Sequence, residues 1–231
     1  MSEIKLNHKY NPLFVEEKRY YYVTGGRGSG KSYGVTTFLV NLTYTPGHKI
    51  LFLRYTMTSA HLSIIPQFTQ VIEDLGIESH FEINKTEITN KQTGVSILFR
   101  GVKTGSTSQT ANLKSITGIT TVVFDEFEEI PNRKIFKKID YSVRVKGIQN
   151  RVIMIQNPST KMFWGYEEYF LNKREDTTYI HTTYLDNIDN LNEDIIKDFE
   201  RLQETNPKEF DNVVMGGWLD KVEGVIFTNW E

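Results

Sequence analysis

The chain has 231 residues, 27 Lys and Arg against 29 Asp and Glu, a formal net charge of −2 and no cysteine. That length supports one good core, in one domain or two small ones. No run approaches the roughly 18 apolar residues of a membrane span, no basic-then-apolar start reads as a secretory signal, and the cysteine count excludes disulfides and thiolate metal sites, which fits a reducing cytosol. Charge near zero also argues against a surface that wraps nucleic acid on all sides, because such affinity comes from neutralised phosphates. Any DNA contact is confined to a local patch or shared among subunits.

In chain order, a polar arm carrying Tyr10, Pro12, Leu13 and Phe14 leads into the charged turn Glu16-Glu17-Lys18-Arg19. Tyr20 to Thr24, aromatic and β-branched, predicts the first strand. From Ser32 the spacing of Val35, Phe38, Leu39 and Leu42 is that of an amphipathic helix, closed by Pro46-Gly47. Ile50 to Arg54 predicts a second strand, and Ser59 to Leu75 a helix bent or started late by Pro66. Phe81 to Arg100 alternates around turn chemistry at Asn90 and Gly94, which predicts a β-hairpin. Gly101 to Thr110 is polar and reads as a loop. Thr121 to Phe124 and Arg151 to Gln156 are continuous apolar runs, the pattern of strands buried on both faces. Asp186 to Asn212 is acidic and helical, and Gly216 to Glu231 is aromatic and punctuated by glycine. Alternating strands and helices with apolar central strands predict an α/β fold, a mainly parallel sheet with helices on both faces.

Between the first strand and its helix, Gly25-Gly26-Arg27-Gly28-Ser29-Gly30-Lys31-Ser32 fits G-x-x-x-x-G-K-[ST] in full. Glycines let the backbone turn its N–H groups inward around phosphates, and the following helix adds its positive end. Lys31 then reaches the β- and γ-phosphates, and the Ser32 hydroxyl ligates Mg²⁺. The strand Thr121-Val122-Val123-Phe124 ends in Asp125-Glu126. Asp125 holds Mg²⁺, which wants few carboxylates and keeps its waters, while Glu126 polarises the attacking water as general base. The alternative for acids here is a helix N-terminus, a role for which Glu128 and Glu129 are better placed. The strand Ile50 to Arg54 is expected to lie between the acidic pair and the cradle, as in strand-inserted (ASCE) hydrolytic motors. Gln156-Asn157-Pro158 ends the next buried strand. Its amide can meet the γ-phosphate or the attacking water, or it can be a plain exit turn.

These pieces, with Ile50-Leu51-Phe52-Leu53-Arg54, Phe99-Arg100-Gly101, Leu113-Lys114-Ser115-Ile116-Thr117-Gly118, Thr182-Thr183-Tyr184-Leu185-Asp186-Asn187, Gly217-Trp218-Leu219 and Gly224-Val225-Ile226-Phe227, resemble large terminase subunits of tailed phages over nearly the whole chain. The resemblance implies a three-layer P-loop NTPase of the ASCE type, hydrolysing ATP with Mg²⁺ to drive double-stranded DNA into a procapsid. It implies a ring of copies at the portal protein, with the small terminase subunit as partner, in the host cytoplasm. Gln156 and Asn157 become the coupling motif. Residues 1–215 are then the motor domain and 216–231 the linker to, or start of, a C-terminal nuclease that is expected to be absent, with no nuclease activity. Tyr10, Asn11, Pro12 and Phe14 resemble the base-binding segment, with core packing the alternative for Phe14.

Positive charge at the γ-phosphate is expected from Arg27 in cis. By position in the family Lys114 matches a finger acting in trans, although lysine lacks the planar fork; Arg100 and Arg144 are the other candidates. Arg133, Lys134, Lys137 and Lys138 have helical spacing and form one basic face, either a solvated surface or a contact to DNA phosphates. The rival readings are a nucleotide-dependent assembly module that hydrolyses poorly, a helicase-like motor, and a P-loop kinase.

Overall fold

A computed structural model describes residues 6–56, 60–103 and 116–220. Its centre is an eight-stranded sheet in the order β3-β4-β5-β2-β6-β7-β1-β8. The strands are β1 (Tyr20–Gly25), β2 (Ile50–Thr56), β3 (Phe81–Asn84), β4 (Glu87–Asn90), β5 (Ser96–Lys103), β6 (Thr121–Phe124), β7 (Arg151–Gln156) and β8 (Thr177–Thr182). From β5 to β8 every pairing is parallel; β3-β4 and β4-β5 are antiparallel. The helices are α1 (Asn11–Val15), α2 (Lys31–Leu42), α3 (Ala60–Asp74), α4 (Arg133–Asp140), α5 (Glu193–Thr205) and α6 (Pro207–Val213).

Side chains alternate across each strand, so a sheet buried on both faces sorts its residues into two cores. On one face Tyr21, Val23, Phe52, Val123, Ile153 and Ile155 pack with Val35, Phe38 and Leu39 of α2 and Phe68 of α3. On the other, Tyr20, Tyr22, Leu53, Phe124 and Met154 pack with Phe127, Phe136 of α4 and Tyr169. Three layers result, as the sequence predicts. A small third cluster joins Tyr184, Phe210 and Val214 to Leu191, Phe199 and Leu202, beside the loop that follows β1.

Several expectations are corrected. The strand between β1 and β6 is β7, paired with both, whereas β2 lies on the far side of β6. The inserted-strand topology therefore holds with a different strand in the gap. The hairpin around Asn90 and Gly94 is β4-β5, and a second turn adds β3, giving three antiparallel strands. Gly101 to Lys103 continues β5 against β2 instead of opening a loop; residues 104–110 lie outside the described part. Pro66 sits inside α3, so the helix runs through it and does not start there.

Residues 216–219, which the resemblance assigns to the connection, pack on this same body: Trp218 meets Tyr166 at 4.8 Å and Leu219 bridges Thr160. Gly224 to Phe227 lie outside the described residues. Among the described residues no helix is long and apolar enough to cross a membrane.

Candidate active site

The loop from Gly25 to Ser32 leaves β1 and enters α2 at the carboxyl edge of the parallel strands. Gly28 (φ 72°) and Gly30 (φ 74°) are left-handed, which an L side chain resists, and Gly30 caps α2. A Cβ on Gly26 would stand 1.9 Å from the Val214 carbonyl, so only glycine fits there. The loop carbonyls are taken from outside or from within the loop. Lys31 Nζ donates to Gly26 O (3.0 Å), Asn187 Nδ2 to Gly28 O (2.9 Å) and the Tyr10 hydroxyl to Ser29 O (3.1 Å). Arg27 N–H donates to Val213 O at 2.7 Å. The amides of Gly28 to Ser32 have no backbone acceptor among the described residues. A row of uncommitted N–H groups at a helix N-terminus is the geometry that takes an anion.

Lys31 is buried at 9% exposure. Burial lowers its pKa to about 8, against the upward pull of Glu128 and Asp125, with Arg27 adding a smaller push down. The charge is held by carboxylates across the cleft and is ready for a stronger anion. Ser32 is half-buried on the first turn of α2, and Arg27 is exposed on the loop.

Asp125 continues β6 past its end, with its N–H on Leu53 O at 2.8 Å. Strand alternation puts it on the α2 face, one residue after Phe124 on the other face. It is 5% exposed. Arg54, one residue past Leu53 on β2, donates Nε to Asp125 Oδ2 at 2.7 Å and lies 3.7 Å from Glu126 Oε2. Glu126 has φ 54°, the single left-handed non-glycine among the described residues. Such a conformation costs about 1–3 kcal/mol and persists where the surroundings impose it, commonly at working sites. It turns the chain from β6 into a 3₁₀ turn, Phe127–Glu129, and sets the Glu126 carboxylate beside Asp125. Burial raises its pKa; Arg54 opposes this, and Asp125 and Glu129 add to it. A carboxyl poised above its ordinary range suits a base.

Glu128 has a place that sequence reasoning missed. It does not face solvent at a helix start: the 3₁₀ turn swings it back, so that Oε1 accepts the Asn157 N–H at 3.3 Å while Oε2 is buried with no hydrogen-bond partner among the described residues. Burial pushes its pKa up to about 7, outweighing the backbone hydrogen bonds and the attraction of Lys31, and Asp125 adds to the rise. A carboxyl raised in the fold above its unfolded value contributes stability in full below about pH 4.5 and loses it as pH climbs through about 7. Urea unfolding of the nucleotide-free protein at pH 5 and pH 8 is therefore expected to show Glu128→Gln close to wild type at the lower pH. At the higher pH the variant should be more stable by up to roughly 3 kcal/mol. Parallel pH profiles for the two proteins would refute the burial of a charged Glu128.

The remaining candidates separate. Gln156 is fully buried, and its parity sends it to the face away from α2, where Oε1 accepts the Tyr22 hydroxyl at 2.6 Å. Its side chain is thus turned away from the cradle, and Asn157, exposed at the strand exit, is the nearer of the two through Glu128. Arg100 donates to Thr86 O (3.1 Å) and Phe99 O (2.7 Å), bracing the antiparallel strands. Arg144 is exposed beside Val143, whose carbonyl Arg19 holds at the start of β1, the strand end opposite the cradle. Lys114 lies outside the described residues. On α4, Arg133 and Lys137 turn to Glu168, which leaves Lys134 and Lys138 as the exposed part of the basic face. Tyr10 packs on Gly34, where a Cβ would meet its ring at 2.7 Å, and Phe14 meets Phe38 edge-on at 5.3 Å. Both rings of the proposed base-binding arm are thus engaged in packing.

Comparison with known proteins bears on this arrangement. A curated relative, the PBSX phage terminase large subunit of Bacillus subtilis strain 168, is 25% identical over 87% of this chain and 49% of its own length. The chain thus spans about half of that relative. Among solved structures, the large terminase of a thermophilic bacteriophage in complex with ADP superposes with a TM-score of 0.73 at 16% identity, over 93% of this chain and 54% of that one. The bacteriophage Phi-29 viral genome packaging motor assembly superposes at 0.64 and 15% identity, over 98% of this chain and 71% of that one. These two likenesses establish the fold. The family model for the phage terminase large subunit matches residues 17–217, from the turn before β1 to the stretch that backs the cradle, and the chain belongs to that family.

Proposed function

We propose that this chain is the ATP-hydrolysing motor of a large terminase, translocating double-stranded DNA into a procapsid. The observation that carries the reading is the placement of an anion-ready loop, Lys31 and the Asp125-Glu126 pair on one face of the sheet at the strand ends, with only β7 between their strands. The relative solved with ADP supports nucleotide as the ligand, and the packaging motor supports the use to which hydrolysis is put.

In the mechanism, the amides of Gly28 to Ser32 and the Lys31 ammonium bind the phosphates, and Lys31 exchanges its Gly26 carbonyl for phosphate oxygen. The residues fit Mg²⁺: the Ser32 hydroxyl and Asp125 offer hard oxygen donors, and Asp125 already holds a cation, the Arg54 guanidinium. Ser32 and Asp125 would hold the ion, which when bound neutralises charge on the phosphates. Glu126 orients the attacking water and takes its proton. Arg27 supplies positive charge in cis as charge develops on the γ-phosphate, with a cation from a neighbouring copy completing the site. Asn157 carries the change to the rest of the ring through its N–H hydrogen bond to Glu128, while the Gln156 side chain anchors the strand end to Tyr22 on the other face. The portal protein and the small terminase subunit are the expected partners, in the host cytoplasm. Lys134 and Lys138 are the nearest candidates for DNA phosphate contact.

The test is phosphate release from ATP by the purified chain, with magnesium and then with EDTA, in the absence and presence of double-stranded DNA. Release that needs magnesium and rises with DNA is expected. A chain that binds ATP yet releases no phosphate above the Lys31→Ala background would return the reading to an assembly module.

A further inference from the structure

Arg54 enters the sequence argument only as the end of a strand and takes no step in the hydrolysis above, yet it makes the closest charged contact in the site. β2 and β6 run in parallel register, Leu53 beside Phe124, so the next residues on each strand, Arg54 and Asp125, emerge side by side. Alternation puts both on the face that carries α2. Asp125 is nearly buried, and a buried carboxylate demands a counter-charge. Lys31 does not supply the direct contact, because its ammonium is turned to the Gly26 carbonyl. Arg54 does, at 2.7 Å through Nε, and the same nitrogen stands 3.7 Å from Glu126. Its Nη1 donates to Ser63 on α3 at 3.4 Å, which fixes the side chain from a second element.

We propose that Arg54 is a positioning residue that acts as a resident counter-cation: in the nucleotide-free protein it holds Asp125 and Glu126 together, and it competes with a divalent cation for Asp125. This rests on the assignment of Asp125 as a metal ligand made above. Arg54 occupies one Asp125 oxygen, Oδ2, and sets its positive charge against the whole carboxylate, so a divalent cation approaching either oxygen is opposed until that pair loosens. Once loosened, the guanidinium keeps its second neighbour, Glu126, and stays beside the base. The nucleotide-free site is thereby protected from two adjacent, uncompensated carboxylates, and the metal becomes productive only when it arrives with phosphate oxygens to complete its shell.

The test is a magnesium titration of ADP binding, read with a fluorescent ADP analogue, together with thermal unfolding of the nucleotide-free protein in EDTA and in magnesium. In Arg54→Ala the magnesium midpoint for ADP binding is expected to fall about tenfold. The same variant should melt lower than wild type in EDTA and recover part of the loss when magnesium alone is added. Arg54→Lys, which keeps the charge without the fork, should fall between them and serves if the alanine variant does not fold. A merely structural ion pair would lower the melting temperature and leave the magnesium midpoint where it is; that result overturns the proposal. If wild type itself binds ADP with no dependence on magnesium, Asp125 is not a metal ligand and the parent reading falls first.

Discussion

Glu126→Gln is expected to cut ATP turnover by about 10²–10³-fold while leaving nucleotide affinity within a few-fold of wild type. Glutamine is nearly isosteric, so the left-handed turn at φ 54° and the contact region of Arg54 survive, and only the capacity to accept a proton is lost. The size follows from what general-base catalysis contributes, commonly two to four orders of magnitude. Because burial and the neighbouring acids Asp125 and Glu129 hold the Glu126 pKa above its usual range, the wild-type rate should rise with pH through that raised value and then level off. The glutamine variant should lose that limb of the profile. Single-turnover phosphate release across pH separates this from a binding defect. Equal turnover in the two proteins would remove Glu126 from the chemistry and direct attention to Glu128.

Lys31→Ala should weaken ATP binding at least about 100-fold, equivalent to roughly 3 kcal/mol. A charge-assisted hydrogen bond is worth about 1.5–3 kcal/mol, and the ammonium is placed to make more than one. There is a second effect. Lys31 lowers the pKa of Glu128, so its removal leaves that carboxyl more strongly protonated and the cleft short of one positive charge beside Asp125. Calorimetric titration with a non-hydrolysable ATP analogue reads the loss directly. Unchanged affinity would mean that the nucleotide binds elsewhere on the molecule.

The cradle was legible because the residues that line it are local, although distant residues brace it. A strand, a glycine loop, a lysine and a helix follow one another within Tyr20 to Leu42, and Gly28 and Gly30 occupy the left-handed positions that demand them. The acidic pair was legible for the same reason. The order of strands across the sheet was not, because nothing local says whether β2 or β7 enters the gap beside β1; that is fixed by long connections and by pairings such as Val23 with Ile155. Arg54 escaped notice since its partner lies 71 residues away and is found only through register. Glu128 escaped because a 3₁₀ turn, not an α-helix, follows Glu126, and the tighter winding aims it inward. For Gln156 a signal existed and was not used. Counting alternate residues back through Ile155 and Met154 places it on the aromatic face with Tyr22.

The long-range clamps on the cradle have a consequence for how the protein comes into being. Gly28 is held by Asn187, 159 residues later, and the Arg27 amide by Val213. A ribosome delivers residues in order, and contacts of such long separation close last. The glycine loop is thus synthesised well before the residues that lock it. A nascent chain should remain unable to grip a triphosphate until α6 has left the exit tunnel.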